Sequence, residues 1–458
     1  MRQIPILVLA LAGTAASADI APDALWARWQ SGSAAIAALE GTVRQTDAGL
    51  VVEGAVLRLG RGPEAPRLLA DPLRLTAEDG TTRITPPATW RIEGADAAIE
   101  VTAPELDLRV SGTAEAPLYR IEEPTLEATG RLTSGDAATG VTLSAADLLA
   151  EIDPAAGLVL TAADAALEVA PETGGESLST AWEGLHVAFE GPPRAIFAPA
   201  TEGVTYAMSL ASEASRHVLD GPAGAAGRVR ATIASGPARS SVASSEARIE
   251  ALQSLSQVVV TATGAGLPLP EARVDIGALS LGVSTPAAPV TEAAPLSLDL
   301  AITGLSPAEE IWQLLDPGAA LPRAPAELRL SVTGDLSWLA GTDPAIPAVE
   351  RARLDALRLS ALGATLTGQG GVQFQPPATP ETPGRPLGAL AFTLTGAHAL
   401  LDRLAALQSI PRDQILGLRM GLGLFTRPGE GADELVSRIE FAPDGAIVIN
   451  GTVIGRQP

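Results

Sequence analysis

Glu105-Leu106-Asp107-Leu108-Arg109-Val110-Ser111 alternates strictly between polar and apolar side chains. In an extended chain successive side chains point to opposite faces, so this stretch makes a strand with one apolar and one wet face. Its style recurs. Leu298, Leu300 and Ile302 lead into Thr303-Gly304; Leu328, Leu330 and Val332 into Thr333-Gly334; Leu390, Phe392 and Leu394 into Thr395-Gly396. Ser111-Gly112 closes a looser copy, and Ile447, Ile449, Asn450 and Gly451 repeat the style near the end. Each copy reads as a strand closed by a small polar residue and a Gly, which permits the positive φ of a tight turn. Asp79-Gly80 and Asp444-Gly445, between apolar segments, are hairpin signals. Many short one-faced strands predict a mainly β, antiparallel fold. Their repetition predicts one extended, curved sheet rather than several compact units.

A few helices are expected around this sheet. Pro22 and Asp23 suit the first turn of an N-terminal helix, and Leu25, Trp26, Trp29, Ile36 and Leu39 follow at helical spacing. Ser306-Pro307-Ala308-Glu309 has the form of a capping box opening a helix with Ile311, Trp312 and Leu315, stopped by Pro317. Leu400, Leu401, Leu404 and Leu407 form an apolar stripe, and a C-terminal helix with Ile415, Leu416 and Met420 follows Pro411. Gly304 and Gly396 each lead from a strand towards a helix, so strand–Gly–helix is a repeated unit. Ser144 to Asp153 fits a helix or a strand. Pro-rich stretches at 286–295 and 376–386 read as loops.

The start of the chain predicts export. Arg2 supplies a positive end, Ile4 to Ala12 a short apolar core, and Ala16-Ser17-Ala18 the small-x-small pattern before a scissile bond. Cleavage is expected between Ala18 and Asp19. The apolar core is about half of the ~20 residues that span a bilayer, and no later segment approaches a span. Domain organisation then reads as a signal peptide at 1–18, a β-rich half with its leading helix at 19–285, a Pro-rich linker at 286–295 and a second β-rich half at 296–458. The expected compartment is the periplasm.

Composition excludes several functions. The formal net charge is -22 and every basic side chain except the three His is Arg. A nucleic-acid partner needs clustered positive charge to neutralise phosphates, so none is expected. Without Cys there is no disulfide or thiolate chemistry. Without Lys there is no Walker A loop, Ser–Lys dyad or Schiff base. His186, His217 and His398 share no metal-ligand spacing. His186 alternates against Leu185, Val187 and Phe189 and points to the opposite face of its strand; His217 lies near a turn; His398 begins a helix. The adjacent pairs Glu122-Glu123 and Glu309-Glu310 diverge on either a strand or a helix. No catalytic, cofactor-binding or metal-binding residue is assigned, and the chain is expected not to be an enzyme.

Asp19 to Trp29, Leu50-Val51-Val52-Glu53-Gly54, Leu418 to Phe425 and Ile447 to Gly451 carry a resemblance to the bacterial domain-of-unknown-function family 2125. More remotely, the strand-Thr-Gly units resemble AsmA-like envelope proteins. That resemblance implies a long curved sheet with an apolar groove and a role in moving phospholipid. This chain departs from the AsmA pattern in having a cleavable signal in place of an N-terminal anchor. The expected function is therefore an envelope protein that holds phospholipid or another acyl-chain ligand in a β-groove. A scaffold that binds envelope proteins is the first alternative, and a β-rich cell-wall or polysaccharide hydrolase the second. The groove requires an open apolar face; a sandwich or barrel with a dry core would close it.

Overall fold

The computed structural model describes residues 20–32, 37–59, 66–135, 137–191, 205–224, 227–338, 347–375, 384–407 and 410–457. Ala16, Ala18 and Asp19 lie outside these residues, as do Ile36 and 376–383. In chain order, helix α1 (Pro22–Gly32) precedes β1 (Ala37–Thr46), β2 (Gly49–Leu59), β3 (Arg67–Leu69) and β4 (Leu73–Glu78). Next come β5 (Thr81–Thr85), β6 (Thr89–Gly94), β7 (Ala97–Thr102) and β8 (Asp107–Gly112). Long strands follow: β9 (Pro117–Ser134), β10 (Ala137–Asp153), β11 (Gly157–Pro171) and β12 (Ser177–Glu190). Then come β13 (Tyr206–Ser212), β14 (Ala214–Pro222), β15 (Arg228–Ser235), β16 (Ala238–Ser244), β17 (Arg248–Gly264), β18 (Glu271–Pro286) and β19 (Ala294–Pro307). Helix α2 (Glu309–Leu315) precedes β20 (Ala326–Trp338), β21 (Pro347–Ala361), β22 (Ala364–Gln375) and β23 (Arg385–Thr395). Helices α3 (Ala397–Ala406) and α4 (Arg412–Phe425) lead to β24 (Arg427–Pro428), β25 (Glu434–Phe441), β26 (Ala446–Ile449) and β27 (Thr452–Arg456).

All these strands belong to one antiparallel sheet that runs from β1 at one edge to β27 at the other. Strands make up 67% of the chain against 11% helix, so the sheet dictates where apolar surface goes. Several rows consist of two short strands end to end. β13 and β14 both face β12, and β15 and β16 both face β17. The 286–295 stretch joins β18 and β19, which are antiparallel neighbours. Ser144 to Asp153 is strand, in β10. The Asp79-Gly80 and Asn450-Gly451 turns have positive φ at both residues, as a two-residue hairpin needs.

One line of interruptions crosses the sheet at right angles to its strands, from β1 to β19. It passes Gly41 and Gly54, the breaks at 70–72, 86–88 and 103–106, then Pro124, Asp147 and Ala163. It continues through Gly184, Glu213, the 236–237 break, Gln257, Gly277 and Gly304. An extra residue bends a strand. Bends in register across adjacent strands crease the sheet into two walls.

Gly304 shows why the repeated Thr-Gly units were only partly turns. Gly112 does end β8 and Gly396 does end β23, but Gly304 and Gly334 lie inside β19 and β20. Gly304 has φ 69° at the register shift between Ile302 and Leu305, so the same conformational freedom serves a bulge instead of a turn. A Cβ there would lie 3.1 Å from the Gly277 nitrogen. Gly304→Ala is expected to destabilise the sheet by about 1–3 kcal/mol, the usual cost of left-handed backbone at a non-Gly residue, measured by urea denaturation.

Two further expectations are corrected. Ser306 and Pro307 do not open α2, because they pair with Asp275 and Val274 and extend β19. The helix begins at Glu309, with Ala308 as its uncapped N-cap. Leu39 belongs to β1, not to α1, because it pairs with Leu57. Leu25 and Trp26 of α1 pack with Ile20, Leu50, Val52, Leu75, Ile84 and Val110 in a compact core over β1 to β8.

Candidate functional site: an open apolar face

Residues paired directly across strands share a face of the sheet, so the register traces that face. One row runs Tyr119, Ile152, Leu158, Phe189, Met208, Val242. It continues through Ala251, Val283, Leu298, Val332 and Leu354. Past Gly370 it reaches Leu390, Ile439 and Ile449. A second row two residues away carries Ile121, Leu160, Val187 and Leu210 on one side of the molecule and Leu281, Leu300, Leu330 and Leu357 on the other. Beyond the crease, Leu143–Leu167 and Val141–Val169–Leu178–Leu219 continue the same chemistry on the second wall.

The apolar face lies inside the bend. Beside the crease even small side chains are buried: Ala162 and Ala165, Ser212 and Ser215, Ser235 and Ala238. Farther out on the same face, Met208 (46%), Leu219 (47%), Leu178 (41%) and Ile233 (41%) are exposed. Burial at the crease with exposure on the walls is the signature of a trough. The outer face carries ion pairs, among them Arg120 with Glu151 and Arg273 with Asp275. These surface pairs contribute little to stability but keep that face wet.

Helices pack at the ends and edges. α1 lies on β1, β2 and β4, α2 meets β18, and α3 meets α4. Under α1 the trough reaches a cavity of about 650 Å³, a size typical of small-ligand sites. Leu57, Leu73, Trp90, Leu108 and Tyr119 line it, and Arg28 stands among its few charged groups. Trp29 Nε1 donates to Tyr119 Oη at 2.8 Å and ties the helix to the first residue of the long row. Burial raises the Tyr119 pKa, so the phenol keeps its proton. The exposed apolar side chains of α4, Leu416, Met420 and Leu424, mark the other end of the molecule.

The inner face changes character between β12 and β17. There His217 Nδ1 lies 3.2 Å from Thr180 Oγ1 and its Nε2 3.3 Å from Ser215 Oγ. Ser215 Oγ is 2.8 Å from Ser235 Oγ, and the Trp182 ring meets the imidazole edge-on at 6.3 Å. His217 sits within the short strand β14, on the inner face. A Ser–His–hydroxyl chain resembles the start of a nucleophilic relay. Thr180 stands where a carboxylate would, no charge among the described residues offsets an imidazolium, and burial lowers the His217 pKa.

That shift has a sign. The folded chain holds neutral imidazole, while the unfolded chain takes up a proton as pH falls past its usual 6.5. The stability from neutral His217 is complete above that pH and is lost as pH falls through the lower folded value. His217→Gln is expected to flatten the fall in melting temperature between about pH 7 and 5, followed by circular dichroism.

The other sequence candidates lie apart. His186 is on the outer face of β12, as expected, paired with Thr161 and Ala211. His398 begins α3 and its Nδ1 lies 2.8 Å from Asp433 Oδ1. Glu122 bonds Arg120, while Glu123 is buried at the crease, one oxygen accepting from the Thr125 N–H. Among the described residues no three His, Cys, Asp or Glu side chains cluster as a metal site, and no helix is long and apolar enough to cross a membrane. No family model, curated protein or solved structure matches the chain.

Proposed function

We propose that this chain is a periplasmic, non-catalytic lipid-handling protein whose creased sheet holds acyl chains. The observation that carries this reading is the apolar row from Tyr119 to Ile449 on one face of the sheet, mostly half-buried, with Met208 exposed on the wall. Apolar trough surface in contact with water is unfavourable by roughly 25 cal/mol per Å² that a ligand would cover. Each methylene laid along it contributes about 0.8 kcal/mol. Ordinary phospholipid tails match this row in chemistry and in linear shape. The AsmA-like resemblance points the same way. The export signal supports the compartment, and the mature N-terminus is expected at Asp19 by N-terminal sequencing.

Vesicles of phosphatidylethanolamine and phosphatidylglycerol bearing a fluorescent acyl chain test the reading. The protein is expected to extract the labelled lipid into the soluble fraction. Lipid that stays wholly with the vesicles would overturn the proposal.

A second reading has one observation in its favour. Every residue of edge strand β27 is exposed, including Val453 and Ile454, and an open edge accepts an added strand. This fits the envelope-scaffold alternative. A photo-crosslinker at Ile454 would distinguish the two, with an identified envelope protein as the scaffold outcome and lipid as the other.

A further inference from the structure

The trough is not apolar throughout. Across β12 to β17 its inner face presents Thr180, His217, Ser215, Ser235, Ser240 and Gln253. Ser240 and Gln253 sit in the second row, between Leu210 on one side and Leu281 on the other. The first row stays apolar past them, through Met208, Val242 and Ala251. A chain can therefore run by the polar cluster without leaving apolar contact.

The cluster retains unused hydrogen-bonding capacity. Ser212, 6% exposed and beside the crease, has an Oγ without a partner in the described structure. Gln253 is exposed on the inner face, paired across the strands with Ser240 and Leu281. A buried hydroxyl without an acceptor is unfavourable unless a ligand supplies the missing partner. The charge is also informative. The inner-face side chains of β11 to β17 are aliphatic, aromatic, hydroxyl, amide or imidazole, and none is a carboxylate or a guanidinium. A phosphate or ammonium group would find no counter-charge there. An ester carbonyl or an alcohol would find both donors and acceptors.

Resting on the trough reading, we propose that this cluster is the subsite for the uncharged polar linkage of an acyl ester, its ester carbonyls. The two chains then lie along the apolar rows, towards Leu158 and Leu160 on one side and Leu281 and Leu300 on the other. The subsite fixes the position of a lipid that an unbroken apolar trough would let slide.

Two uncharged probes separate this from general greasiness: a pyrenedecanoyl diacylglycerol, with esters and a hydroxyl, and dodecylpyrene, with neither. Ser240→Ala is expected to weaken diacylglycerol binding about tenfold, the weight of one good hydrogen bond. Dodecylpyrene binding should be unchanged or tighter. Gln253→Leu, at an exposed side chain whose loss spares the fold, is expected to shift the same ratio in the same direction by about threefold. Equal losses for both probes, or no change for either, would overturn the subsite and leave the trough standing. Failure of the wild-type chain to take up either probe would remove the trough reading and the subsite together.

Discussion

Met208→Glu combined with Leu219→Glu is expected to reduce lipid extraction from vesicles by at least about a hundredfold. Both side chains project from the inner face, at 46% and 47% exposure, so the folded chain has little packing to lose. A carboxylate there stays hydrated only while nothing covers it. Seating an acyl chain over it strips that water with no partner in return, a cost of several kcal/mol, and each 1.4 kcal/mol is tenfold in affinity. Ser209→Glu provides the control: it is next to Met208 in β13 but on the outer face, between Ala188 and Ser241. Extraction by Ser209→Glu should match the wild type. Equal losses for the inner and outer variants would mean that the face has no role.

Trp26→Ala is expected to produce the largest loss of stability, about 3–5 kcal/mol. Trp26 is 5% exposed in the core beneath α1, where Leu25, Val52, Leu75 and Val110 are also buried. Among the described residues its indole N–H has no partner, so the cost of truncation is the cavity. The effect should be local. Strands in this sheet touch mainly their immediate neighbours, as in repeat proteins, where stability is a sum of adjacent contacts. Hydrogen exchange should accelerate in β1 to β5 while β20 to β23 keep their protection. A uniform acceleration across the sheet would contradict this picture.

Much of the fold was legible in local sequence, because one-faced strands announce themselves by period two. The N-terminal helix, the Asp79-Gly80 hairpin and the placement of His186 all follow from spacing over a few residues. The crease left a subtler mark. In β12 the inner-face residues are Leu178, Thr180 and Trp182 before Gly184, and Leu185, Val187 and Phe189 after it. The alternation slips by one residue, as a bulge requires. Such slips recur in β11 at Ala162 and Ala165, and in β17 at Leu255 and Val258. A slip in one strand means little; its alignment across neighbours exists only once the register is set.

The same limit explains the misread positions. Gly304 and Gly396 follow the same Thr, yet one is a bulge and the other ends a strand, since β18 still offers partners to Ser306 and Pro307. The capping pattern at Ser306 to Glu309 is overridden by that pairing. His217 lies within β14, ahead of that strand's end at Pro222. Its approach to Thr180 spans two strands and carries no local signal. The polar cluster of the inner face was therefore invisible as a group, although each of its hydroxyls stood in plain sequence.

The central claim is that the trough holds acyl chains. Native mass spectrometry of the protein, purified without detergent, tests it most directly. Masses above that of the bare chain, by one or more phospholipids that are released on denaturation, are the expected result. A single bare mass, persisting after exposure to excess phospholipid vesicles, would contradict the account.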